Sequence, residues 1–390
     1  MLKKKLCQGI DCFDFNSLSG LNTALISNHT SIDANGRNIF EHLEDTGISV
    51  LKIFSPEHGY FPIAQDMESV EETPSIRGVP VISLYGDSYE SLNPESSMLE
   101  NVDVVIYDVQ DVGSRYYTYL STLFIFMAEL EKHKIPLIVL DRVNPLNGTD
   151  VEGAVLEKHY QSFVGMAPFV QRHGLTSGEA ANFYYKEQGF SFPIHIEKLR
   201  NWNRKDFFCD YSIPWIPLSP NMPSFETATI YPGGCLIEGT ELSEGRGTTF
   251  PFHVTGHPNI NPFSLSKRMK KYNLPGVVFM PLEFRPMFQK HAMKRCGGVF
   301  MSVTDRRKFR PLRTFLLIVS ECMDMLGKRD FFRDKPYEFV EDIPAIDLLL
   351  GNSRLISMFY SGAPFKEMDS FLLEEEKRYL KNRAAYLLYK

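Results

Sequence analysis

The chain has 390 residues, of which 43% are hydrophobic and 23% charged, and its formal net charge is −6. This length and composition are typical of a globular protein with a large core and room for two domains. The acidic balance argues against nucleic acid as a partner, and no run is apolar for long enough to span a bilayer. The six cysteines form no Cys-x-x-Cys pair, so the sequence predicts neither a zinc site nor a dense disulfide framework.

The first residues give an expectation about the compartment. Met1 to Lys5 is basic, but the residues that follow are too polar for the apolar part of a signal peptide. We therefore expect a cytoplasmic protein, whereas a secreted or periplasmic one fits if the start is incomplete.

Short apolar runs and amphipathic stretches alternate through the first half of the chain. The apolar runs predict strands at residues 23–27, 48–53, 79–84, 103–107 and 136–140, with another near 194–196. Helices are predicted at residues 36–45 and 115–133. A strand, a helix and a strand within about 30 residues form a βαβ unit, whose strands pair in parallel. The pattern therefore predicts an α/β fold.

Polar residues cluster where four of these strands end. The clusters are Asn28 to Ser31, Glu57 with His58, Asp108 to Tyr119, and Asp141 to Gly148. Because right-handed crossovers bring the ends of parallel strands to one edge, we expect these clusters to lie together. Ligands bind at that edge in open α/β sheets, so the repetition predicts a binding cleft.

The turn after the second strand carries the clearest chemistry. Pro56 and Gly59 end the strand, which leaves Glu57 and His58 on a stiff turn as candidates for proton transfer. In the alternative interpretation, Glu57 caps the next segment and His58 is a solvated loop residue. The acidic stretch at 65–77 is expected to be a loop that can cover this edge.

The rest of the chain contains a predicted rigid loop, a glycine-rich segment and a second region of predicted strands and helices. Three prolines predict irregular structure at 215–224, and glycines flank Glu244 and Arg246 in a segment that lacks the Walker motif. Thr176 and Glu179 form a predicted capping box, so Glu179 is expected to be structural. Strands at 276–279 and 298–303 and helices at 311–326, 343–350 and 366–389 predict an α+β region. We expect domains at 1–255 and 256–390.

These motifs resemble one known family, the NamZ-type exo-β-N-acetylmuramidases. The resemblance runs from about residue 21 to residue 389 and is carried by eight motifs in order. They are the Asn28-His29-Thr30 strand end, FSPEHG at 54–59, SLYG at 83–86, DVQDVGSRYYTY at 108–119, LDRVNP at 140–145, HGLTSGE at 173–179, SPNMP at 219–223 and EGTELSEGRGTTFPF at 238–252.

The resemblance implies a fold and an activity. It implies a Rossmann-like parallel sheet in the N-terminal domain, a smaller C-terminal domain and an active site between them. It also implies release of N-acetylmuramic acid from the non-reducing end of peptidoglycan fragments. The glutamate of the family's PEHG motif corresponds to Glu57, which we expect to be the general acid or acid/base.

Glycoside hydrolysis also needs assistance at the anomeric carbon. Asp108, Asp111 and Glu244 are the candidates for this second role, with Asp111 slightly preferred. Alternatively, the 2-acetamido group of the substrate acts as the nucleophile.

Other polar residues of the motifs are expected to bind the substrate. Arg115, Arg142, His173 and Arg246 are candidates to hold the lactyl carboxylate, since a guanidinium matches a carboxylate with two hydrogen bonds. The remaining expected binding residues are Asn28, His58, Tyr116, Asn144 and Asn221.

The expected partner is therefore a small molecule, either a muramyl disaccharide or a peptidoglycan fragment, and no cofactor is expected. Two alternatives stay open. His29, Glu57, His58, Asp108 and Asp111 could hold a divalent metal in a metal-dependent hydrolase, although no HExxH spacing supports this. The chain could also bind muramyl sugars without turnover.

Overall fold

A seven-stranded sheet organises the residues before Phe225, which we call the first half of the molecule; the residues from Phe225 onward are the second half. The computed structural model describes residues 4–65, 68, 75–86 and 88–390. The sheet order is β3-β4-β2-β1-β5-β6-β7, and its strands are β1 (Asn22–Ser27), β2 (Ser49–Ser55), β3 (Ser75–Ile76), β4 (Val79–Ser83), β5 (Val104–Asp108), β6 (Leu137–Leu140) and β7 (Ile194–Glu197). All neighbours run parallel except β3 and β4 at one edge. The first strand, β1, lies in the middle of the sheet. The chain then adds β2, β3 and β4 on one side of β1 and returns to add β5, β6 and β7 on the other. The topological switch point therefore lies between β1 and β5, in the middle of the sheet.

Helices surround this sheet and a smaller one. The helices are α1 (Gly9–Cys12), α2 (Ile39–Asp45), α3 (Tyr119–His133), α4 (Ser177–Gln188), α5 (Phe225–Gly234), α6 (Pro262–Lys270), α7 (Pro311–Leu326), α8 (Ala345–Leu350), α9 (Ser353–Ser361) and α10 (Phe365–Arg383). The second sheet is antiparallel in the order β8-β10-β9, with β8 (Val254–His257), β9 (Val277–Phe284) and β10 (Cys296–Val303). Within the described residues, none of these helices is long and apolar enough to cross a membrane.

The central strands are apolar because helices cover both faces of the large sheet. Side chains alternate across β1, so Ala24 and Ile26 join the core formed with α3, whereas Leu25 packs with α2. Every residue of β5 is buried. The sheet is therefore a rigid base whose strand ends can position polar groups.

The two halves of the molecule share one apolar core. The core on the α3 face of the sheet continues through α5, α7, α8 and α10. Helices α5 and α7 approach closely at Gly233, where an added Cβ would lie 2.1 Å from the carbonyl oxygen of Pro311. Only glycine fits this contact without movement of the backbone.

The structure confirms the predicted α/β class with a parallel sheet. Every strand predicted between residues 23 and 196 is present. Two helices begin later than predicted: α2 starts after Asn38, whose side chain accepts the Glu41 amide at 3.2 Å, and α3 starts at Tyr119. The elements α1, α5, β8, α6 and α9 were not predicted, and neither was β3, whose residues 75–76 fall in the expected loop. Most of the expected loop at 65–77 lies outside the described residues, and the domain boundary at 255 stays a prediction.

Candidate active site

Glu57 lies directly after β2, as the sequence predicts. The strand ends at Ser55, and the next residues form a turn in which the Gly59 amide donates to the Pro56 carbonyl at 3.1 Å. His58 has a left-handed backbone, with φ of 72°. This conformation is costly for a residue with a side chain, and such strain is found disproportionately at functional sites. The His58 ring is held in place, since its Nδ1 lies 3.0 Å from the Ala64 carbonyl oxygen.

The Glu57 carboxylate is buried and oriented by a hydroxyl group. Glu57 is only 5% exposed, and its Oε2 accepts a hydrogen bond from Oγ1 of Thr118 at 2.5 Å. Thr118 is itself buried and precedes the first residue of α3. This hydrogen bond fixes the direction of the Glu57 carboxyl group.

Glu57 and Thr118 line a cavity between the two halves of the molecule, and its empty space, counted together with the solvent at its mouth, is about 410 Å³. We call it the Glu57 cavity. The first half contributes Glu57, His58, Tyr116, Tyr117, Thr118, Val164, Ser219, Asn221 and Met222, and the second half contributes Tyr231, Glu238, Arg246, Phe252, Tyr337 and Glu338. The site is therefore built from strand ends on one side and from the segments around 238–252 and 337–338 on the other.

The second half supplies a fixed carboxylate to the cavity. Arg246 donates through Nη1 to Oε1 of Glu238 at 2.8 Å, and the Tyr337 hydroxyl donates to Oε2 at 2.7 Å. Glu338 also faces the cavity, and its Oε2 accepts the Tyr85 hydroxyl at 3.0 Å. Both glutamates thus line the Glu57 cavity with oriented side chains.

Buried phenols complete the lining. Burial raises the pKa of Tyr116, Tyr117, Tyr231 and Tyr337 well above the usual value for tyrosine. These groups stay protonated at any physiological pH. They therefore offer neutral hydroxyl groups and apolar ring faces to a bound molecule.

Of the residues that the sequence singled out, five line this cavity together: Glu57, His58, Tyr116, Asn221 and Arg246. The structure places the others elsewhere. Asp108 and Arg142 form a buried pair, in which Nε and Nη2 of Arg142 donate to the two carboxylate oxygens at 2.6 Å and 2.7 Å. Burial raises the pKa of Asp108, and Arg142 opposes that rise. The pair holds neighbouring strand ends and does not line the Glu57 cavity.

Asp111, Asn144 and His173 form a second buried group outside the cavity. Oδ2 of Asp111 accepts the Gly113 amide at 2.6 Å and lies 3.6 Å from Nε2 of His173. Asn144 donates to the Leu175 carbonyl at 2.8 Å. These contacts tie the strand-end loops to one another.

The remaining predicted residues also have partners in the protein. Asn28 accepts the Thr30 amide and hydroxyl at 3.0 Å and 2.6 Å, which is an Asx turn. Arg115 donates to the Leu349 carbonyl at 2.6 Å. Glu244 contacts Arg246 at 3.3 Å and lines a neighbouring charged pocket.

Sequence reasoning missed several residues of the cavity. Glu238 and Ser219 lie inside motifs that carried the resemblance, so a signal existed for them. Thr118 was overlooked because Asp111 and Arg115, in the same motif, are more obvious functional candidates. Tyr337 and Glu338 lie in a segment without a recognisable pattern, and only the fold brings them to Glu57.

The five residues considered for a metal do not converge. Asp108 is paired with Arg142, and Nε2 of His29 lies 2.6 Å from the Pro217 carbonyl oxygen. In the described part of the chain, no three histidine, cysteine, aspartate or glutamate side chains are grouped as metal ligands.

The fold and the cavity define an α/β enzyme with a buried acidic site between two structural parts. Family models for the N-terminal and C-terminal parts of exo-β-N-acetylmuramidase NamZ match residues 23–226 and 229–389. The chain belongs to the NamZ exo-β-N-acetylmuramidase family.

Individual relatives agree with this assignment. The chain is 36% identical to the peptidoglycan β-N-acetylmuramidase NamZ of Bacillus subtilis, over 99% of this chain and 92% of that protein. Two crystal structures of DUF1343 family proteins from Bacteroides fragilis are similar to it, with TM-scores of 0.87 and 0.76. Each is 27% identical and covers 99% of both chains.

Proposed function

We propose that this protein is an exo-β-N-acetylmuramidase that releases N-acetylmuramic acid from the non-reducing end of peptidoglycan fragments, with Glu57 as the general acid. The observation that carries the proposal is the buried Glu57 carboxyl group, which lines the cavity between the two halves and is held by Thr118. Membership of the NamZ family supports the activity and the substrate class.

In the proposed reaction Glu57 gives its proton to the glycosidic oxygen. The bond between that oxygen and the anomeric carbon breaks, and positive charge develops on the sugar ring. Water then adds its hydroxyl group to the anomeric carbon and releases a proton. The sugar that leaves with the protonated oxygen begins with N-acetylglucosamine.

We assign the second role to Glu238. It lines the Glu57 cavity, whereas Asp108, Asp111 and Glu244 do not. Arg246 and Tyr337 donate hydrogen bonds to its two carboxylate oxygens and so fix the direction of the group that would activate water. The product distinguishes this route from the substrate-assisted one. Inversion gives the α-anomer first, whereas attack by the acetamido group gives the β-anomer.

Arg246 is the proposed partner of the lactyl carboxylate. Among the four cationic candidates, it alone lines the Glu57 cavity within the described residues. A guanidinium recognises a carboxylate through paired hydrogen bonds, so this contact would separate muramic acid from glucosamine.

The test is turnover of a chromogenic aryl β-N-acetylmuramide beside the matching N-acetylglucosaminide, each with and without a chelator. We expect release from the muramide alone, unaffected by the chelator. Release from neither substrate would contradict the proposal and favour a sugar-binding protein. Activity lost with chelator and restored by a divalent metal would favour a metal-dependent hydrolase.

A further inference from the structure

An open groove with exposed aromatic side chains begins where the Glu57 cavity ends. It is open to solvent, and its space with that solvent included is about 1260 Å³. It is lined by residues 220–221, 247–250, 282–285 and 287–288, together with Gln65. Asn221 lines both the groove and the Glu57 cavity. Its side chain is fixed, because Nδ2 donates to Oε1 of Gln65 at 2.7 Å. The groove and the Glu57 cavity therefore adjoin at Asn221.

A single loop forms both walls at this junction. Arg246 faces the Glu57 cavity, whereas the residues from Gly247 to Phe250 face the groove. The loop is held against the far wall at Gly247, whose carbonyl accepts the Met287 amide at 2.9 Å. Gly247 has φ of 76°, and an added Cβ would lie 2.8 Å from the Phe288 nitrogen. Backbone contacts therefore hold the two walls of the groove together at this point.

The groove exposes large apolar side chains beside charged ones. Phe250 is 49% exposed, Met287 61% and Phe288 39%. The Phe250 ring packs edge-on against Phe300, with 5.4 Å between centroids, so its orientation is set. Glu283 and Arg285 line the same groove. Fixed ring faces with a few polar groups are typical of a ligand site, and pyranose rings present apolar C–H faces to such rings.

We propose that this groove binds the glycan that leaves after cleavage, beginning with its N-acetylglucosamine unit. The inference rests on the proposed function. An exo-acting enzyme holds the terminal sugar in an enclosed cavity, so the rest of the substrate must leave through an opening. The groove supplies that opening, and Phe250 and Phe288 supply stacking surfaces for the sugars.

A second pocket also borders the cavity but fits a glycan less well. It shares Glu238 with the Glu57 cavity and is lined by charged or amide side chains, among them Glu241, Lys290 and Lys335. No aromatic side chain lines it in the part of the chain that is described. Sugar stacking therefore favours the groove.

The experiment compares a short substrate with a long one. Phe250→Ala and Phe288→Ala are assayed on the aryl β-N-acetylmuramide and on an unsubstituted tetrasaccharide of alternating N-acetylmuramic acid and N-acetylglucosamine. We expect kcat/KM on the tetrasaccharide to fall about two- to tenfold in each variant, mainly through KM, because an aromatic contact is lost. The aryl muramide should lose less, because its single aryl ring reaches only the start of the groove.

Two further variants serve as controls. Phe250→Leu keeps apolar bulk against Phe300 but removes the stacking ring, so it should also lose tetrasaccharide affinity while folding normally. Phe263→Ala replaces a phenylalanine that is 71% exposed on α6, outside the groove, and should leave kcat/KM on both substrates unchanged.

The outcomes separate this inference from the proposed function. Wild-type turnover with unchanged tetrasaccharide kinetics in the groove variants would overturn the groove alone, as would equal losses on both substrates. Lack of wild-type turnover on both substrates would overturn the proposed function and the groove with it.

Discussion

Glu57 differs from the other acidic residues near the strand ends in what its carboxylate contacts. Asp108 is neutralised by Arg142, and Asp111 accepts a backbone amide, whereas Glu57 receives a hydroxyl group and faces a cavity. A carboxyl group that must give a proton to a substrate needs this combination of burial and access.

The first prediction concerns Glu57→Gln. An amide of the same shape keeps the cavity but cannot donate the proton, so kcat should fall about 10²- to 10⁴-fold. Binding of muramyl disaccharide, measured by titration calorimetry, should be retained. A variant with the wild-type rate would show that another group is the acid.

The second prediction concerns Thr118, which we regard as a positioning residue. Thr118→Val removes the hydroxyl group that donates to Glu57 while it keeps the volume, and an intramolecular hydrogen bond contributes about 0.5–1.5 kcal/mol. We expect kcat to fall about two- to tenfold, with little change in KM. Thr118→Ser restores the hydroxyl group and should restore most of the rate. Equal rates for the valine and serine variants would show that the hydrogen bond is not used.

At the scale of single elements, the carboxyl group that holds the start of α4 binds a proton in a pH-dependent way. Asp141, at the end of β6, is fully buried and accepts the Gly178 amide at 2.6 Å and the Thr176 hydroxyl at 2.8 Å. The hydroxyl of Tyr389, near the end of the chain, also donates to it. Burial raises the pKa of Asp141 from 3.8 to about 7, against these hydrogen bonds.

The third prediction follows from the sign of that shift. Between these two pKa values the folded protein keeps a proton that the unfolded chain releases. The contribution of Asp141 to stability is therefore present below pH 3.8 and is lost as the pH rises towards about 7. The melting temperature of the wild type should fall relative to that of Asp141→Asn over this range. Parallel curves for the two proteins would contradict the raised pKa.

How far the sequence predicts these elements depends on how local their causes are. The Thr176–Glu179 capping box was predicted and is present, because its hydrogen bonds join residues three apart. Helix α5 was missed because Pro232, Gly233 and Gly234 oppose helix formation locally. Packing against α7 overrides that preference.

The same distinction holds for the candidate site. The position of Glu57 after a strand follows from local sequence, and it is where it was expected. The partners of the other polar residues are distant in the chain, as with Asp108 and Arg142, so their contacts were beyond prediction. Tyr337 reaches Glu238 across 99 positions for the same reason.

At the scale of the whole molecule, the last helix ties the two halves together. Arg383 at the end of α10 is buried and donates to three carbonyl groups of the first half. Its Nη1 donates to His173 and Gly174 at 2.9 Å and 2.7 Å, and Nη2 donates to Gly148 at 2.9 Å. The loops that carry the strand-end residues are thus braced from the far end of the chain.

The fourth prediction is that Arg383→Ala destabilises the whole molecule. The change removes the Arg383 donor from the Gly148 and Gly174 carbonyl groups, whereas the His173 carbonyl keeps the Tyr379 hydroxyl at 3.1 Å. Each buried carbonyl group without a donor costs about 1–3 kcal/mol. Because the halves share one core, thermal unfolding should stay a single transition at a melting temperature lower by several degrees. The exposed Lys381→Ala on the same helix should melt like the wild type. Two separate transitions in Arg383→Ala would instead mean that the halves unfold independently and that α10, rather than the core, couples them.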